Sequence, residues 1–185
     1  MAPKVKVSKA DIINAAVDIV RRDGHQSLNA RTIAAALNCS TQPIFSNYVS
    51  MDALRLDVVE KADALCQEYT HKEIASNAYP VYKATGMAYI RFAKEEKELF
   101  KLLYMRDRRQ EANATSEFTN EMEAIVQNTT GLAMPQASLF HLEMWAYVHG
   151  IATMFATNYL DLDWELVSKM ITDIYQGLRK QYGLE

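Results

Sequence analysis

Thr41, Gln42, Ser46 and Asn47 put two hydroxyls and two side-chain amides on one short stretch, facing away from Ile44 and Tyr48. Groups of this size pair with base edges. A Gln or Asn amide can engage adenine N6 and N7 together, and Ser or Thr hydroxyls pair with several bases. Such chemistry requires a narrow helix held rigidly enough to enter a major groove, so the neighbouring elements must present it as a projecting probe.

The stretch from Asn29 to Tyr48 has the pattern of that support. Ala30, Ile33, Ala34 and Leu37 recur at spacings of three and four, the period that lines one face of a helix with apolar groups. Asn38 tolerates the left-handed conformation that ends a helix. Ser40 is expected to cap the next helix, and Pro43 falls in its first turn, where a missing N–H costs little. Ile44 and Tyr48, four apart, turn inward. Two short helices around a tight turn let one lie across a DNA backbone while the next enters a groove. Upstream, Ser8 precedes Ile12, Ala15, Ala16, Ile19 and Val20, an amphipathic helix that closes near Gly24.

From about Lys6 to Gln67 the chain resembles the DNA-binding domain of TetR/AcrR-family transcriptional regulators. The matching positions are Ala15-Ala16, Gly24, Leu28, Arg31, Ile33-Ala34, Leu37, Ser40, Pro43-Ile44-Phe45, Tyr48 and Ala53-Leu54. The resemblance implies that Arg31, Thr41, Gln42 and Asn47 approach base edges or phosphates. Two positions depart from the family pattern. Phe45 replaces a frequent Tyr and can make only apolar contact, for example with a thymine methyl, while Met51 stands where many members carry a phosphate-binding Lys. Both departures predict modest affinity.

Charge supports the same reading weakly. Through residue 60 there are 7 basic and 6 acidic side chains, against 13 basic and 17 acidic in the remainder. Lys4, Lys6 and Lys9 are expected to form a mobile arm that lies on phosphates. The full set of DNA-facing candidates is therefore Arg31, Thr41, Gln42, Phe45, Ser46, Asn47, Lys4 and Lys6. The domain boundaries read as 6–67 for the helix-turn-helix domain, with its motif at about 29–48, and 68–185 for an effector-binding and dimerisation domain.

At 185 residues, 49% hydrophobic and 23% charged, the chain has the composition of an ordinary globular protein. No apolar run suggests a membrane span and no signal peptide is read at the start, so a cytoplasmic location is expected. Cys39 and Cys66 do not make a zinc motif, and Cys39 is expected to fill a core position. Long helices dominate, giving an all-α chain of nine helices in a TetR-like plan. The later ones run from Ser50 to about Ser76, Tyr79 to Lys94, Glu95 to Arg106, around Phe118 to Thr130, Pro135 to Asn158, and Trp164 to about Tyr182. The polar stretch Asp107 to Thr115 reads as a loop.

In the eighth helix Ala146, Gly150, Thr153 and Thr157 form a stripe of small side chains; Val167, Ile171, Ile174 and Leu178 repeat the offsets on the ninth with larger apolar groups. These stripes are expected to pack two copies into a four-helix contact, the dimer that the family resemblance also implies, or else to face the monomer's own core. Trp145-Ala146-Tyr147-Val148-His149-Gly150 is similar to the Trp-x-x-x-His-Gly signature of one TetR subgroup. An effector cavity between the fifth to eighth helices is expected to use Tyr69, Tyr89, Phe92, Tyr104, Met105, Phe118, Met122, Trp145 and His149, since Met and Tyr suit an apolar molecule with one or two polar groups. His141 and His149 lie about 12 Å apart along a helix axis, too far to share a metal. No metal or cofactor is expected.

The reading is a ligand-responsive regulator, a repressor that binds palindromic operator DNA as a homodimer and is released by a small, largely apolar effector. An activator would carry the same residues. The alternative is a helical ligand- or partner-binding protein whose DNA-binding domain has decayed. An enzyme is disfavoured, because the chain has no nucleophile triad signature, Gly-rich phosphate loop or clustered metal ligands.

Overall fold

A computed structural model describes residues 7–106 and 117–184, with side chains described from residue 119 in the second segment. Lys4, Lys6, the stretch Asp107 to Thr115 and the Phe118 side chain lie outside the described residues. Among the described residues there are nine α-helices and no strand.

Helix α1 (Lys9–Asp23) begins where expected, because Ser8 and Asp11 cap it reciprocally: the Asp11 N–H donates to Ser8 Oγ at 3.1 Å, and the Ser8 N–H donates to Asp11 Oδ2 at 2.9 Å. It ends at Gly24, whose φ of 79° is open to glycine and strained for other residues. A single 3-10 turn, His25–Ser27, leads to Asn29, which accepts from the Arg31 and Thr32 N–H groups and caps α2 (Ala30–Ala36). Asn38 takes the left-handed conformation at φ 50°. Helix α3 (Gln42–Asn47) starts without the Ser40 cap: Thr41 precedes it in helical geometry and no side chain caps it. Pro43 in the first turn leaves fewer N–H groups to satisfy. Helix α4 (Met51–Ala75) is capped by Ser50, which accepts from the Ala53 N–H at 3.1 Å.

The chain divides into two compact units, Met1–Gln67 with Glu96–Arg106, and Glu68–Glu95 with Asp107–Glu185. In the first, α1 packs on α2, α3 and α6 (Lys97–Tyr104), and Ile12, Ala16, Val20, Ile33, Ile44, Leu54, Val58 and Leu99 are buried. The second unit is thus smaller than the stretch 68–185 read from the sequence, by residues 96–106. Residues 96–106 join the N-terminal unit because Leu99, Phe100, Leu102 and Leu103 bury in it and Arg21 of α1 forks onto Glu96, both nitrogens at 2.9 Å. The second unit centres on α5 (Val81–Glu95) against α8 (Met134–Ala156), flanked by α7 (Glu117–Thr130) and α9 (Trp164–Gln181). Asp163 caps α9 by accepting from the Glu165 and Leu166 N–H groups.

Six residues are too few for a helix to stand on hydrogen bonds alone, so α3 depends on its surroundings. Tyr48, 5% exposed at its C-terminal end, donates to Asp57 Oδ2 at 2.9 Å, and Lys9 reaches the same carboxylate at 2.7 Å while lying 5.0 Å above the Tyr48 ring. Lys9 and then Tyr48 hold the Asp57 carboxyl below its ordinary range. Burial, reinforced by Asp57, pushes the Tyr48 phenol well above its ordinary value. Because the folded-state value of Asp57 is depressed, its contribution is complete above the unfolded carboxyl value and fades as pH falls through the lower, folded one. Asp57→Asn is expected to cost about 1 kcal/mol at pH 7, with the gap to the unaltered chain closing below about pH 4, as read by circular dichroism melts.

Candidate nucleic-acid interface and effector region

Once Ile44 and Tyr48 turn inward, α3 presents Gln42, Phe45, Ser46 and Asn47 to solvent, with Arg31 exposed on α2 and Thr41 half-buried at the turn. Phe45 is 53% exposed, unusual for so large an apolar ring. Two of the polar candidates spend a donor on their own helix: Ser46 Oγ donates to the Gln42 carbonyl at 2.9 Å and Asn47 Nδ2 to the Pro43 carbonyl at 2.8 Å. Val49, 96% exposed just past the helix end, was missed in the sequence because it belongs to no periodic face. Lys9 is not part of a mobile arm. It is the first residue of α1 and is tied to Asp57.

The described effector candidates are spread over both units. Tyr104 and Met105 belong to the N-terminal unit, where the Tyr104 hydroxyl lies 3.5 Å from Cys66 Sγ and Met105 is 44% exposed. In the second unit Phe92 and Met122 are buried. Trp145 is 42% exposed on α8 and stacks on His149 with ring centroids 4.9 Å apart. Tyr69 meets Phe92 edge-on at 5.4 Å and donates to Glu95 at 2.9 Å. It is the one candidate that lines a cleft of about 590 Å³, whose other walls include Glu68, Lys72, Glu73, Arg91 and Glu95. That cleft is charged, with Arg91 bonded to Glu73 at 3.1 Å and lying 4.4 Å from the Trp164 ring centroid.

Tyr89 and His149 do meet, hydroxyl to Nδ1 at 2.9 Å, and a second pair that the sequence did not reveal, Tyr82 and His141, has the same geometry at 2.9 Å. Two-turn steps along α5 and α8 bring both pairs into register, a signal visible only once the helices are known to be neighbours. Burial pushes the Tyr82 phenol above its ordinary value, so it keeps its proton, and the tautomer of His141 sets which partner donates. Burial also holds both imidazoles below their ordinary value of 6.5, and hence neutral. Among the described residues no three His, Cys, Asp or Glu side chains are grouped to hold a metal.

A family model described as "Tetracyclin repressor-like, C-terminal domain" matches residues 82–174, about half of the chain. The chain belongs to the TetR family. Two solved structures share the fold of this TetR-family regulator. A TetR-like transcriptional regulator from Rhodococcus sp. RHA1 is 14% identical with a TM-score of 0.71, over 99% of this chain and 100% of that one. A TetR family member from Streptomyces coelicolor A3 is 16% identical with a TM-score of 0.64, over 89% and 96% of the two chains. At such identities the likeness is one of fold. No curated protein matches the sequence. Membership places the regulator among DNA-binding transcription factors rather than enzymes.

In this TetR-family chain the two expected dimer stripes have different fates. On α8, Ala146 and Thr157 are exposed, Thr153 is half-buried, and a Cβ at Gly150 would meet nothing within 4 Å. On α9, Val167, Ile171 and Leu178 are buried in their own unit and Ile174 is half-buried. Apolar periodicity identified the stripe but not the neighbour it packs against. Exposed apolar groups on these two helices include Met134, Leu139, Leu142 and Trp145 on α8 and Leu166 on α9. Cys39 is half-buried rather than a core residue, and burial pushes the Cys66 thiol up to about 11, leaving it protonated and unreactive near neutrality.

The depressed histidines set a pH window in the regulator. The unfolded chain binds protons near 6.5 while the folded one does so only lower, so stability is full above that value and is lost as pH falls. The double variant with His141→Gln and His149→Gln is expected to show a melting midpoint nearly flat between pH 7 and 5, where the unaltered chain declines; melts across that range check this.

Proposed function

We propose that this regulator is a homodimeric repressor that binds an imperfect palindrome in double-stranded operator DNA and leaves it when a small, largely apolar effector binds. The observation that carries the reading is the solvent-facing row Gln42, Phe45, Ser46 and Asn47 on a helix whose inner side is anchored through Ile44 and Tyr48. Recognition helices of a symmetric pair enter successive major grooves when they stand about 34 Å apart. Arg31 adds a guanidinium at the start of the preceding helix, suited to guanine O6 and N7 or to a phosphate. Lys4 and Lys6 extend the phosphate contacts.

Dimerisation is assigned to the exposed face of α8, where Ala146, Gly150 and Thr153 allow a second backbone to approach and Leu139, Leu142 and Trp145 supply apolar area, completed by Leu166 and the half-buried Ile174 of α9. The effector is inferred to part α5 from α8 at Tyr89 and His149, whose hydroxyl and imidazole become its polar contacts, with Phe92 and Met122 as newly uncovered apolar walls. A ligand that binds only this parted arrangement shifts the population toward it. Helix α4 contributes residues to both units, which gives the shift a covalent route to the DNA-binding unit. The Trp-x-x-x-His-Gly stretch belongs to this effector and dimer region. The site of action is the cytoplasm, with the DNA; among the described residues no helix is long and apolar enough to cross a membrane.

Two measurements test the proposal. Gln42→Ala should weaken binding to a selected operator about ten-fold or more while leaving binding to random duplex unchanged, as followed by fluorescence anisotropy over a range of salt. An equal loss on both DNAs would exclude Gln42 from base reading. Gly150→Leu, which has open space within the chain and a better helix former, should keep the monomer folded and weaken the dimer by about 2 kcal/mol or more in sedimentation equilibrium. Unchanged association would move the interface elsewhere.

A further inference from the structure

Helix α3 carries neither a cation nor an acid, and its exposed face is unevenly equipped for reading bases. Ser46 and Asn47 each commit a donor to the carbonyl four residues earlier and keep their acceptors, while Gln42 and, one turn on, Phe45 project from the same helix. The Phe45 ring is more than half exposed, and Val49 immediately past the helix is almost wholly exposed, so the probe ends in apolar surface rather than in charge. An aromatic ring cannot bond a phosphate oxygen or a base donor. In a major groove the one apolar group it can bury is the 5-methyl of thymine, which cytosine lacks.

We propose that Phe45 is a specificity-determining residue that packs on the 5-methyl group of a thymine next to the adenine read by Gln42, with Val49 extending the same apolar contact. The assignment deepens the DNA-binding reading and rests on it. Contact of this kind adds discrimination without adding counterion release, so it is separable from phosphate binding by its indifference to salt. Removing one methyl group from such a contact corresponds to about a four-fold loss, or about fifteen-fold when both half-sites lose it.

The test uses the full chain and an operator selected from random duplexes. Each thymine is replaced singly by deoxyuridine, which deletes the methyl and preserves every hydrogen-bonding group, and affinity is read by fluorescence anisotropy. One thymine in each half-site is expected to show the four-fold penalty. Phe45→Ala, measured at low salt so that a weakened complex is still quantified and checked for fold by circular dichroism, should bind the thymine and deoxyuridine operators alike with an unchanged salt slope. A flat scan in the unaltered protein, or an undiminished penalty in Phe45→Ala, would overturn the role of Phe45 while leaving operator binding intact. Failure to select any operator would overturn both this assignment and the DNA-binding reading.

Discussion

The anchoring of a six-residue helix by one tyrosine governs what this molecule can offer to DNA. Nucleating a helical turn costs more than its first hydrogen bond returns, so α3 is ordered by tertiary contacts or not at all. Ile44 fills the core from inside the helix, and Tyr48 closes its end by holding Asp57 of α4, which Lys9 of α1 holds from another side. Three elements thus meet at one carboxylate. The cation that a sequence reader would assign to a phosphate is consumed in building the probe, and the helix gains rigidity in exchange for charge.

The same exchange recurs through the N-terminal unit. Arg21 is forked onto Glu96, Arg22 pairs with Asp23 at 2.7 Å, and Arg55 pairs with Asp52 at 2.7 Å. Exposed pairs of this kind add little stability individually, but each one lowers the field available for drawing in a polyanion. With Phe45 and Met51 in positions where the family often uses a hydroxyl and an amine, the interface leans on shape, amides and apolar contact. Non-specific affinity, which is almost wholly electrostatic, falls further under these conditions than specific affinity does.

Local signals were legible to within a residue or two. Ser8, Asn38 and Gly24 mark real helix ends because caps and left-handed terminators act within one turn of themselves. The inward side of α3 was legible too, since Ile44 and Tyr48 are both buried. Which helix lies next to which was not. Val167, Ile171 and Leu178 form a stripe whichever body covers them, and a single sequence does not distinguish a partner's core from the chain's own. The partner-dependent pairs Tyr82 with His141 and Arg21 with Glu96 were invisible for the same reason: 59 and 75 positions separate their members. Phe92 and Met122 were read as cavity walls because composition suits a pocket and a core equally well.

On the proposed reading, a regulator with modest operator affinity would need little leverage to be released. Allosteric couplings of about 1–3 kcal/mol change affinity roughly 5- to 150-fold, enough to clear a site held mainly by contacts on two short helices. The α5–α8 seam suits a coupling of that size. Its two phenol–imidazole bonds are neutral, so opening it does not strand a buried charge, and a ligand hydroxyl or carbonyl can replace one of the bonds almost without loss. A seam closed by buried ion pairs would resist parting far more strongly, since separating such a pair leaves uncompensated charge. In the second unit Lys94 and Asp161 pair where both keep access to water, and Arg91 stays part-exposed over a largely covered Glu73. Under the proposed release, the apolar centre is what yields to a small molecule while such pairs keep the helices in register.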